Sequence, residues 1–121
     1  MIATSINQSK KLLELGLDPK TADMHYFPQT KDDFMLFTVP FNKEEAVEEG
    51  WAPEIIDAIV PAWTLSVLLD LVPEDVQLTS KGHTYQAITI KHLIHEYYPS
   101  AIDAVYNLLC VIYGERVLKI V

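Results

Sequence analysis

Two prolines, Pro61 and Pro73, bracket the most apolar stretch of the chain, PAWTLSVLLDLV. Proline lacks a backbone N–H and clashes with a preceding helical turn, so it is tolerated where a helix opens and forbids its continuation. The pattern predicts a helix over residues 61–72, opened by Pro61 and stopped at Pro73. Only Thr64, Ser66 and Asp70 break its apolar surface, and a helix apolar on most faces is buried. This segment is expected to be the central core element, with Trp63 plugging the core.

The other elements follow from spacing and punctuation. Residues 4–15 read as an amphipathic helix: Thr4 or Ser5 caps it, and Gln8 stands at capping-box distance from Ser5. Ile6, Leu13 and Leu17 form its stripe, Leu12 widens it, and Gly16 is its stop. Asp18-Pro19-Lys20-Thr21 reads as a turn or one helical turn. Met24 to Phe27 is expected to be extended, and FMLFTV, ended by Pro40, reads as an edge strand. Residues 43–51 are compatible with a short exposed helix or a loop, with Gly50 as a stop, and residues 53–60 with a short helix. A hairpin follows: residues 76–80 alternate, Lys81-Gly82-His83 turns, and the chain returns through Ile88, Ile90 and Ile94 at even spacing. Residues 92–98 fit either a strand or a helical turn before Pro99. Ser100 caps a last helix, with Asp103 as its capping-box partner, Ile102, Val105, Leu108, Leu109 and Ile112 as its apolar face, and Gly114 as its stop. The order predicts one α+β domain over residues 1–121, with a small, mainly antiparallel sheet packed with about three helices.

Charge narrows the function classes. Nine Lys and Arg face seventeen Asp and Glu, a formal net charge of −8, and the only arginine is Arg116. Nucleic-acid binding draws its affinity from phosphate neutralisation by basic groups, so direct nucleic-acid binding is not expected. Neither is docking on an anionic membrane. The strongly apolar runs are shorter than the roughly 20 residues that span a bilayer. No basic-then-apolar signal opens the chain, and the lone Cys110 fits a reducing compartment, so a soluble cytoplasmic protein is expected. The acid is concentrated: between Asp32 and Asp57 lie eight carboxylates against Lys43 alone. Such a stretch is either a solvated face or a surface for a basic partner. Trp51 stands beside it, after Gly50, as a candidate exposed anchor.

Motifs for catalysis are sparse. Gly16, Gly50, Gly82 and Gly114 are too far apart for a phosphate loop, and no Gly-x-Ser-x-Gly occurs. Cys110 lies between Leu109 and Val111 and reads as a packing residue. His92 and His95 share a face only on a helix, while His25 and His83 are expected in loops, so no metal ligand set is specified. No cofactor is implied. Asp70 and Asp103 stand on apolar helices, read as a polar face and a cap, and with His92 are the groups around which a hydrolase site would assemble.

The run VPAWTLSVLLDLVP, the polar hairpin and then AIDAVYNLLCVIYG resemble a group of small uncharacterised proteins encoded in prophages and other mobile elements of gut Bacteroides-type bacteria. The resemblance covers roughly the second half of the chain and carries no catalytic residue. It implies a phage-type accessory protein. The expected function is therefore a non-enzymatic accessory protein acting through protein–protein interaction. Glu44, Glu45, Glu48, Glu49 and Trp51 are the expected contacts with a basic partner. A small hydrolase, or a homo-oligomeric structural subunit burying the tail from Val117 to Val121, is the alternative.

Overall fold

In the computed structural model, which describes residues 2–120 with side chains through residue 115, the chain is an α+β arrangement of five helices and two small antiparallel sheets. The first helix, α1 (Ile6–Glu14), starts at a reciprocal cap. The Gln8 N–H donates to Ser5 Oγ (3.1 Å), and the Ser5 N–H donates to Gln8 Oε1 (3.0 Å). It ends where Gly16 takes a φ of +97°, a conformation that side chains disfavour. There the Leu17 N–H reaches back to the Leu12 carbonyl and brings both leucines into the core. A 3-10 turn at Pro19–Thr21, capped by Asp18, leads into the first sheet.

That sheet has the order β2-β1-β3, with β1 at Met24–Pro28, β2 at Phe34–Phe37 and β3 at Val60–Ala62. Between β2 and β3 run α2 (Lys43–Glu48) and α3 (Pro53–Ala58). The acidic middle of the chain thus forms two short helices, each anchored by one buried residue, Ala46 and Ile56.

The helix expected over residues 61–72 is shorter and starts later. Pro61 belongs to β3, where it pairs with His25. As an edge strand, β3 tolerates a residue with no N–H. The helix α4 (Leu65–Leu71) begins after Thr64, whose extended backbone occupies the cap position. Between strand and helix, Trp63 is fully buried, as expected. Its indole N–H donates to Thr21 Oγ1 (2.9 Å). Its backbone N–H donates to Thr4 Oγ1 (3.2 Å), and its carbonyl accepts from the Thr4 N–H (2.9 Å). Thr4 Oγ1 also shares a 2.8 Å hydrogen bond with the buried Ser9 hydroxyl, and its carbonyl accepts from the Tyr26 hydroxyl (2.8 Å). Thr64 donates from its N–H and its hydroxyl to the two Asp23 oxygens (2.9 and 2.6 Å).

The second sheet is the expected hairpin, β4 (Gln77–Lys81) and β5 (Thr84–Ile88), turning at Gly82-His83. Its return stops earlier than the even spacing of isoleucines predicts. At residues 89–92 the chain turns tightly, with Thr89 and His92 exchanging N–H···O bonds, and Ile90 at the tip is 93% exposed. Residues 92–97 are neither strand nor helix, and a bridge from Tyr98 to Tyr85 brings the chain back.

The last helix, α5 (Ala101–Ile120), supplies more of the core than any other element: Ile102, Ala104, Val105, Leu108, Leu109 and Ile112 are buried. α4, expected to be the central element, buries only Leu68 fully, its other leucines lying half-buried against α5. α5 opens as predicted, the Asp103 N–H donating to Ser100 Oγ (3.0 Å). The Asp103 carboxylate, read as a capping partner, accepts from Gln8 Nε2 (2.6 Å) and ties α5 to α1. Gly114 does not stop this helix, which continues to Ile120. The side chains of the tail, to which self-association was assigned, lie outside the described residues. Among the described residues no helix is long and apolar enough to cross a membrane.

Two sets of substitutions test this arrangement by urea denaturation. Thr4→Val strips the acceptor from the buried Trp63 N–H and is expected to destabilise the fold by about 1–3 kcal/mol. Thr4→Ser keeps the hydroxyl and should lose clearly less. Gly50 and Gly114 should respond with opposite signs. A methyl at either would meet open space. Gly50 has a φ of +81°, so Gly50→Ala should destabilise by about 1–2 kcal/mol. Gly114→Ala, within a helix, should stabilise by about 0.5–1 kcal/mol.

Candidate functional site

Strand alternation gives the first sheet an aromatic face. On β1, His25 and Phe27 point to the side opposite Tyr26. Across the ladder, His25 faces Phe37 and Phe27 faces Met35. The His25 and Phe37 rings stack at 5.3 Å between centroids, and Phe27 meets Phe37 edge-on at 6.0 Å. These spacings are those of favourable ring pairs. His25, expected in a loop, is thus a strand residue at the centre of this face.

The C-terminal end of α2 brings Trp51 to the same face. Gly50, in the left-handed conformation, lets the chain double back. The Gly50 N–H then donates to the Val47 carbonyl (3.1 Å), and the Trp51 N–H to the Ala46 carbonyl (3.0 Å). This is the paired bonding of a glycine-terminated helix, and it lays Trp51 against the sheet. The indole meets Phe27 edge-on at 5.9 Å and Phe41 at 6.0 Å with a 44° tilt, while Phe41 stands 5.6 Å from His25. Trp51 remains 37% exposed, and its Nε1–H donates to Glu49 Oε2 (3.1 Å).

Helical geometry divides the four glutamates expected to act together. Glu45 and Glu49, four residues apart, share one side of α2. With His25, Asn42, Phe41 and Trp51 they line an open cleft of about 240 Å³. Glu44 instead borders a neighbouring cleft of about 360 Å³, together with Lys20, Lys43 and Asp57 around Met24 and Ile56. Glu48 is exposed. Phe41 is the wall between the two clefts. Sequence reading singles out Trp51, places His25 in a loop, and passes over Phe37 and Phe41. The only signal of this face is the period-two placement of His25 and Phe27, which acquires meaning once β2 supplies the register.

His25 is 8% exposed. Its Nδ1 lies 2.8 Å from the Val39 carbonyl. A carbonyl only accepts, so Nδ1 carries the proton, and in the neutral ring Nε2 is an acceptor.

The hydrolase candidates do not meet in a cleft of this kind. Asp70 is exposed, Asp103 holds Gln8, and His92 has both ring nitrogens engaged by carboxylates. His92 Nδ1 lies 3.0 Å from Glu74 Oε1, and Nε2 lies 2.9 Å from Glu115 Oε2. A general base needs one ring nitrogen free to accept, whereas this ring clamps the loop after β5 to α5. Cys110 packs half-buried beside the core, where burial pushes its thiol up and away from reactivity. Burial and the Cys110 contact push the neighbouring Tyr106 hydroxyl up to about 12. Among the described residues, no three His, Cys, Asp or Glu side chains are grouped to hold a metal.

No protein-family model matches the chain, and neither a curated protein nor a solved structure matches it.

The His92 clamp should give the fold a pH signature. The Glu115 hydrogen bond lifts the imidazole above its usual 6.5, opposed by partial burial and reinforced by Glu74. The folded chain therefore holds this proton more tightly than the unfolded chain. The stabilisation is complete below about pH 6.5 and is lost as pH rises through the raised folded value. In urea denaturation at about pH 5.5 and about pH 8.5, His92→Gln should lower the midpoint more at the acidic pH. An equal loss at both would show that the charge contributes nothing.

Proposed function

We propose that this chain is a small protein-binding accessory factor whose aromatic–acidic face receives a basic segment of a partner protein. The reading is carried by the partly exposed Trp51, held between Phe27 and Phe41 beside the carboxylates of α2. Large aromatic side chains supply most of the energy at protein interfaces. Carboxylates at the rim select partners of opposite charge and speed their approach. An accessory role within a bacterial host cell is part of this proposal. A basic protein surface, rather than nucleic acid, is the complement of a chain with net charge −8.

The test is capture of partners from a gut Bacteroides-type lysate with the tagged protein. A stoichiometric basic partner should be held at low salt and released at high salt, because exposed charges are screened over ~10 Å at 0.1 M. Changing Glu44, Glu45, Glu48 and Glu49 to Lys should abolish the capture. Lysines at Glu44 and Glu45 also oppose the dipole of α2, so the same four positions are changed to Gln in parallel, with circular dichroism as the check on folding. Capture of the same partner by both folded variants overturns the proposal.

A further inference from the structure

We infer that the cleft between β1 and α2 is a pocket for the charged end of a lysine or arginine side chain. The inference rests on the basic partner proposed above and names what that partner inserts. The cleft holds about 240 Å³, below the roughly 300 Å³ at which pockets for drug-sized ligands begin. It is a space for a side chain, and its chemistry is one-sided. The carboxylates of Glu45 and Glu49 line it and accept hydrogen bonds only. The indole N–H of Trp51 is already given to Glu49, which leaves the second Glu49 oxygen available. The Asn42 carbonyl oxygen takes the Glu45 N–H, so the Asn42 amide NH2 is the one neutral donor at this edge.

His25 adds an imidazole to the wall of the cleft. The residue is more than nine-tenths buried and lines the cleft, and its Nδ1–H is given to the Val39 carbonyl. Its Nε2 makes no hydrogen bond among the described residues. Yet no fully enclosed side-chain nitrogen or oxygen among them lacks a partner, so Nε2 retains an opening to the outside. Open to the outside, Nε2 can take its hydrogen bond from water or from a donor seated in the cleft. Phe41 and Trp51, tilted at 44° to one another, both line the cleft, and aromatic ring faces attract cations. Carboxylates, an imidazole acceptor and two π faces share one complement, a cation bearing N–H donors. Ammonium and guanidinium groups fit; a carboxylate, a phosphate or a neutral apolar side chain does not.

The experiment uses the full chain, labelled with ¹⁵N, and a capped peptide of alternating lysine and glycine. The probes are the two indole Nε1–H resonances: Trp51 borders the cleft, and Trp63, buried and bonded to Thr21, is the internal control. The Trp51 resonance should shift saturably while that of Trp63 stays in place. The same peptide with every lysine acetylated should bind at least about tenfold more weakly, because acetylation removes the cation. Glu45→Gln with Glu49→Gln should weaken binding at least about tenfold, and Trp51→Leu by a similar factor when followed on the His25 ring protons. Glu49→Gln keeps an acceptor for the indole, so the first variant preserves the wall of the cleft. Glu44→Gln with Glu48→Gln, on the adjacent side of α2 and outside this cleft, should weaken binding clearly less than the Glu45 and Glu49 pair does. Salt-dependent peptide binding that leaves Trp51 unmoved, or that responds equally to the two glutamate pairs, overturns the pocket and leaves the basic-partner reading standing. Absence of saturable binding by both the lysine peptide and its arginine counterpart overturns both.

Discussion

The junction at Trp63 is the constraint on which the two halves of the fold depend. Its indole fills the core beneath the helices, while its backbone continues β3 of the first sheet. A side chain of this size is stably buried only when its N–H finds an acceptor and its backbone groups are paired. Thr21 supplies the first requirement and Thr4 the others. Thr4 also binds Ser9 of α1 and Tyr26 of β1. One threonine thus joins the start of the chain, the first helix, the sheet and the tryptophan. The sheet can then turn its other face outward, and that outward face carries His25, Phe27 and Phe37.

The aromatic face is a product of register as much as of composition. In MHYFP every second residue is directed one way, and β2 sets Phe37 opposite His25. A slip of one residue would turn Tyr26 outward and carry the His25 ring to the opposite face, away from Phe41 and Trp51. The α2 cap contributes the rest. The positive φ at Gly50 reverses the chain within two residues and delivers Trp51 to rings that are distant from it in sequence.

Much of this was legible in the sequence where the signal was local. The Ser5–Gln8 cap, the stop at Gly16, the Asp18-Pro19 turn, the hairpin at Gly82-His83 and the Ser100 cap each rest on residues within a few positions of one another. The α+β class followed from their order. Misreadings arose where a residue type has two roles and tertiary contacts choose between them. Pro61 suits a helix opening and an edge strand equally, and its pairing with His25 decided for the strand. Gly114 can stop a helix, but here it lacks the positive φ of Gly16, Gly50 and Gly82 and lies within α5. The candidate site was half legible. The acidic run and Trp51 stand out, yet the split of the glutamates into two pairs needs the boundaries of α2. His25, Phe37 and Phe41 become a site only through strand pairing. The His92 clamp joins residues from three separate parts of the chain and has no local signature.

The stretch bearing α2 and α3 is fastened lightly. Of its two helices, only Ala46 and Ile56 are buried. Substitutions at exposed positions usually alter stability by less than about 0.5 kcal/mol, so most positions in this stretch can change without threatening the fold. The buried core and this lightly fastened surface are therefore largely separate in the sequence. A lineage whose counterpart keeps changing can rewrite this surface repeatedly, while selection on the core around Trp63 and α5 stays constant.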